Sequence, residues 1–119
     1  MADLTIQDVV EAGLQVAYAA ADPAGDAVLN VDGDVFLHVL NADAGQIVVT
    51  VTAQDASEEV PGFGAMTKAD AQVTVTAGEE RFIGPFPKRA FNDGTNRIQI
   101  AYSSVTNVSV AALRLRRAA

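Results

Sequence analysis

The chain has 119 residues, half of them hydrophobic, a formal net charge of −7 and no cysteine. That length fits one domain with a core of its own, and the hydrophobic share excludes global disorder. The absence of cysteine removes disulfides, thiolate metal sites and cysteine nucleophiles together, while the acidity argues against nucleic acid as a partner.

The charge is unevenly placed. Residues 1–60 hold eleven acids and neither Lys nor Arg, whereas residues 61–119 hold eight basic residues and four acids. Opposite signs on different faces would orient subunits or a partner. No apolar run reaches the length of about 18 residues needed to cross a bilayer, so no membrane partner is expected. Met1-Ala2-Asp3-Leu4 carries no basic region ahead of an apolar stretch, so the expectation is folding in a cytoplasm without a signal peptide.

In chain order, residues 1–13 are expected to form an arm or short helix. Thr5 is a capping residue, Asp8 lies at the third helical position, and Gly13 can end a helix in a left-handed turn. Residues 14–119 then read as a single antiparallel β-sandwich of jelly-roll-like type. Segments 14–18 and 26–31 are weak strand candidates. Strands are expected over 35–41, 46–53, 71–76, 80–85, 96–102 and 108–115, where β-branched residues alternate with polar ones. Ala42-Asp43-Ala44-Gly45 is read as a hairpin connection, and Asp32-Gly33, Ala77-Gly78 and Asp93-Gly94 as turns that tolerate positive φ. Residues 54–70 are expected to be a long loop.

Catalytic chemistry finds little support. His38, the only histidine, shares a strand face with Phe36 and Leu40, the setting of a core or hydrogen-bonded imidazole. Asp22, Asp26, Asp32 and Asp34 lie close in sequence, but they lack EF-hand spacing, and Asp32-Gly33 fits a turn. Glu79 and Glu80 are adjacent at a strand entry and therefore point to opposite faces. No glycine-rich loop joins a strand to a helix in the manner of a phosphate cradle. The expectation is a protein that is not an enzyme, with no catalytic residues, no metal and no cofactor.

Two apolar stretches point to binding. Phe63-Gly64-Ala65-Met66 places Phe63 and Met66 on the long loop. In Arg81-Phe82-Ile83-Gly84-Pro85-Phe86-Pro87, Pro85 marks an edge strand or a strand end, and the phenylalanines pack a sandwich corner or face a neighbouring subunit. Leu4, Ile6, Phe63, Met66 and Phe86 are the expected partner-binding side chains. A small domain without staples, carrying apolar residues beyond its core's needs, is also expected to self-associate, most simply as a trimer.

The segments Phe36-Leu37-His38-Val39-Leu40-Asn41, Ala77-Gly78-Glu79, Phe82-Ile83-Gly84-Pro85-Phe86-Pro87 and Phe91-Asn92-Asp93, with the closing strand 105–115, resemble small virion proteins of tailed bacteriophages. The resemblance covers residues 30–115 and is closest to head decoration, or capsid cement, proteins. It implies a non-enzymatic homotrimer on the capsid exterior that binds the major capsid protein and clamps neighbouring subunits. A neck or tail component, or a carbohydrate- or host-binding sandwich, are the other roles it leaves open. No catalytic or ligand residue is implied.

Overall fold

The computed structural model describes residues 2–54, 57–62, 64–67 and 69–115. Its strands in chain order are β1 (Ala2–Asp3), β2 (Ile6–Val9), β3 (Ala19–Ala20), β4 (Asp26–Leu29), β5 (Val35–Asn41), β6 (Ile47–Val51), β7 (Ser57–Val60), β8 (Gly64–Thr67), β9 (Ala71–Val75), β10 (Glu80–Ile83), β11 (Arg97–Tyr102) and β12 (Val108–Leu115). One helical turn, α1 (Lys88–Phe91), lies between β10 and β11.

The strands form two packed sheets and a separate hairpin. Sheet one has the order β1-β4-β11-β6-β9, and sheet two the order β10-β5-β12-β2, with β3 also on β12. The pairings are nested: β4 with β11, β5 with β10, β6 with β9 and β7 with β8, all antiparallel. Such concentric pairing is what wrapping one long hairpin into two facing sheets produces, so the all-β, jelly-roll-like sandwich is the fold.

Alternation explains the interior. Val35, Leu37 and Val39 of β5, Ile47, Val49 and Val51 of β6, Ile98 and Ile100 of β11, and Val108 and Val110 of β12 are all buried in one core. Each strand contributes every second residue, so the two inner faces meet as a layer of valine, isoleucine and leucine.

Two buried asparagines hold two of the places where the chain changes sheets. Between β4 and β5, Asn30 Nδ2 donates to the carbonyl of Phe86 at 3.0 Å and to Asn92 Oδ1 at 2.9 Å, while Asn92 Nδ2 donates back to the Asn30 carbonyl. Between β5 and β6, Asn41 Nδ2 donates to the carbonyls of Gly45 and Val75, at 2.9 and 3.0 Å. Each amide satisfies backbone groups that a sheet-changing bend takes out of the ladders. Gly33, at φ +72, completes the first bend; a Cβ there would lie 3.4 Å from Phe86 O and Lys88 N.

Several expectations are corrected. Residues 5–13 are not helical: Ile6–Val9 is a strand, parallel to β12. A short helix gains one bond per residue only after a costly nucleus, whereas pairing with β12 satisfies the backbone and packs Ile6 on the core. Gly13 does take a positive φ of 97°, in the turn after β2. The connection 42–45 is an arch between sheets, because β5 and β6 lie in different layers. The expected loop 54–70 contains the β7–β8 hairpin. Segment 14–18 is not a strand; the short β3 begins just after it. In the turn after α1, the positive φ falls on Asn96, at 62°, and not on Gly94. The strand carrying Phe82 ends at Ile83 before Pro85 and sits on the edge of sheet two, so both parts of that reading hold.

Candidate functional site

The outer face of sheet two carries an aromatic cluster. Because Val35, Leu37 and Val39 point inward, Phe36, His38 and Leu40 point outward. Phe82 stands opposite His38 in the β10–β5 register, and their rings stack at 4.1 Å with 8° between planes. Phe36 touches the same phenyl ring at 6.1 Å between centroids. On the other side, the Tyr18 hydroxyl is hydrogen-bonded to His38 Nδ1 at 2.7 Å. His38 is therefore buried, yet outside the core: its neighbours on the outer face cover it.

Nε2, on the other side of the ring, faces Glu80 Oε2 at 3.5 Å, too far for a good hydrogen bond. Hydroxyl, imidazole and carboxylate thus follow one another in space. Phe82 lies flat on the imidazole and remains 64% exposed itself, so the cluster presents an aromatic ring to solvent and keeps the imidazole under it. Glu79 does not join Glu80; it pairs with Arg81 at 3.1 Å. The face is apolar at its centre and charged along the β10 edge.

A second feature lies where the sheets meet at their N-terminal edge. β3 pairs with β12 at Ser109 and Val110, and β2 pairs with it from Ala112 onward. Between them opens a cavity of about 410 Å³, walled by the crossing segment Leu4-Thr5, by β3 and by Val110–Ala112. Gln7 bridges its outer rim, donating to the Ala17 carbonyl at 2.7 Å and accepting from the Ala17 amide at 2.9 Å.

Asp26, fully buried, lines this cavity. It opens β4 directly after Gly25, whose φ of +94° and 2.7 Å separation between an added Cβ and Ile100 O leave no room for a side chain. Asp26 Oδ2 accepts from the Tyr102 hydroxyl at 2.7 Å and, at 3.4 Å, from the Asp22 amide. Oδ1 is buried without a hydrogen-bond partner. Burial, and then the bond to Asp26, raise the Tyr102 phenol far above its ordinary value, so it stays a donor.

Of the expected binding residues, the described ones belong to or pack on the core. Phe86 is buried in the core with its ring edge-on to Phe91, so it is an interior residue and not a contact. Leu4 and Ile6 are half-buried and pack against the same core. Phe63 lies outside the described residues, as does the side chain of Met66, whose backbone belongs to β8. Among the described residues, no three His, Cys, Asp or Glu side chains gather as a metal site. Among the described residues, no helix is long and apolar enough to cross a membrane.

The residues that sequence reasoning missed are Phe82 as an exposed ring and the Asp26–Tyr102 pair. Phe82 had a signal, its place one residue before the end of an edge strand at Ile83, two residues ahead of Pro85. The pair had none, because its members are 76 residues apart.

Compared with family models, with curated proteins and with solved structures, the chain matches none of them.

Proposed function

We propose that this chain is a non-enzymatic virion structural protein of the decoration type, which binds the outer surface of a tailed-phage capsid and stabilises it. The observation that carries the reading is Phe82, a phenyl ring 64% exposed on an edge strand and backed by the buried, hydrogen-bonded His38. A rigid exposed aromatic on a sandwich is the kind of group that anchors a protein interface. Jelly rolls recur in viral capsid proteins and in lectins, which is an analogy of fold alone. Many weak contacts repeated over a shell add up to firm attachment, and trimers on a shell would multiply them.

The test is co-sedimentation with shells of the major capsid protein from the same genome. Wild type is expected to pellet with the shells, and Phe82→Ala to remain folded and stay largely in the supernatant. Truncating one interface anchor typically costs about 2 kcal/mol or more per contact. Failure of wild type to pellet, or equal pelleting of the variant, would sink the reading. Light scattering on the free protein separately checks the expected trimer against the 12.4 kDa monomer.

A further inference from the structure

We infer that segment 10–18 is a strap that lies across the outer face of sheet two and lifts from it while the sandwich stays folded. Lifting uncovers an apolar strip that continues the surface on which Phe82 stands. The use of that strip rests on the reading of Phe82 as a partner anchor; the lifting is a property of the free chain.

The path of the strap follows from strand pairing. β2 fills the edge of β12 from Ala112 to Leu115, and β3 fills the same edge at Ser109 and Val110. The chain between them therefore returns past β2 on one side of the sheet, and Gln7 marks which side. Gln7 is paired with Leu113, and Leu113 with Phe36, so all three share the outer face. The Gln7 side chain donates to the Ala17 carbonyl at 2.7 Å and accepts from the Ala17 amide at 2.9 Å, which puts the returning chain on that side. One residue on, the Tyr18 hydroxyl reaches His38 of β5.

Burial shows that this side is covered. Ala111, paired with His38, and Leu113, paired with Phe36, point outward, yet they are only 2% and 3% exposed. Neither belongs to the core between the sheets. Their cover lies on the outside, where Leu14 and Val16 are the half-buried residues of an otherwise exposed strap.

The strap is also loosely attached. It belongs to no strand, and its bonds to the sheet run through the side chains of Gln7 and Tyr18, the Gln7 pair being open to water. The cavity of about 410 Å³ is lined by Ala17, Tyr18 and Ala111, so packing between strap and sheet is incomplete at that end. Segments held by few buried contacts and exposed hydrogen bonds open at a fraction of the global cost. Once lifted, the strap leaves Ala111, Leu113 and His38 open beside Phe36 and Phe82, an apolar strip across β12, β5 and β10 that the closed state hides.

Because the chain has no cysteine, one introduced thiol reports the opening cleanly. The rate of modification by a thiol reagent is measured for Ala111→Cys, under the strap, and for Val110→Cys, on the inner face of the same strand. Val110 is reached only when the sheets separate, so its rate reads global unfolding. The thiol at 111 is expected to react about tenfold or more faster than the thiol at 110, and to gain little from low urea, because lifting a strap exposes little surface. Adding Gln7→Ala should raise the rate at 111 by about tenfold, the scale of the lost hydrogen bonds, and leave the rate at 110 nearly unchanged. Should Ala111→Cys fail to fold, Leu113→Cys reports the same face. Equal rates at the two faces, or a rate under the strap that Gln7→Ala leaves unchanged, would overturn the strap. The measurement needs no capsid, so failure of the strap and failure of capsid binding are read separately.

Discussion

At the scale of single residues, the turn between α1 and β11 is held by one carboxylate. Asp93 Oδ1 accepts from the Thr95 hydroxyl at 2.7 Å, the Thr95 amide at 2.8 Å and the Arg97 amide at 3.2 Å, and Oδ2 accepts from Gln99 Nε2 at 2.6 Å. These bonds, the Thr95 hydroxyl first, hold its carboxyl well below the usual carboxylate range. A folded-state value below the unfolded one, near about 3.9, means stability that is present above that pH and lost as pH falls beneath it. Asp93→Asn should therefore melt below wild type at pH 7, with the gap narrowing from about pH 4 downward. Thermal melts across that range check it; a gap of constant size would count against the assignment. The turn's positive φ falls on Asn96, a residue that tolerates the left-handed region.

At the scale of elements, β2 shows how a parallel edge strand is attached to a mostly antiparallel sheet. Its backbone pairs with β12 from Ile6 to Val9, and Asp8 meets Arg114 of β12 through two bonds, at 2.7 and 3.2 Å. The Asp8 carboxylate raises the Arg114 guanidinium above its ordinary value, so the guanidinium stays charged. Both side chains are partly open to water, so the pair contributes about 1 kcal/mol or less. Asp8→Ala is expected to lower global stability by no more than that, while amide exchange in β2 speeds up ahead of the other strands. If β2 exchanges as before, the strand is held by its ladder and by Ile6 alone.

At the scale of the whole molecule, both sheets depend on one interior. Leu37 is fully buried in β5, between neighbours from both layers. Leu37→Ala should cost about 2–5 kcal/mol, a large share of a small domain's stability. Phe82→Ala, which removes an exposed ring and one stacked contact, should cost about 1 kcal/mol. Urea unfolding read at Tyr18, beside sheet two, and at Tyr102, in sheet one, is expected to give coincident transitions in both variants. Separate midpoints would mean that the sheets unfold independently and that the core is not shared.

The sequence by itself determined the longer strands, β5, β6, β9, β11 and β12. Val35–Asn41 and Val108–Leu115 fall where alternation places them, because a half-buried strand writes its period into side-chain polarity. The missing amide of Pro85 marked an edge strand or a strand end, and β10 is an edge strand that stops at Ile83. Only the tertiary structure decided which sheet each strand joins. An arch and a hairpin both use short polar turns such as Ala42-Asp43-Ala44-Gly45, and what separates them is where Asn41 finds its acceptors, Gly45 and the distant Val75. Segment 6–9 was read as an arm or short helix, and it is a strand because β12 supplies the hydrogen bonds, which nothing local shows. His38 shows the same limit: alternation placed it with Phe36 and Leu40, but which side of the sheet faces the core is settled by the opposing layer. The cavity beside Asp26 lies furthest from anything local, because β4, β11, β12 and the N-terminal crossing meet there only once the sandwich has closed.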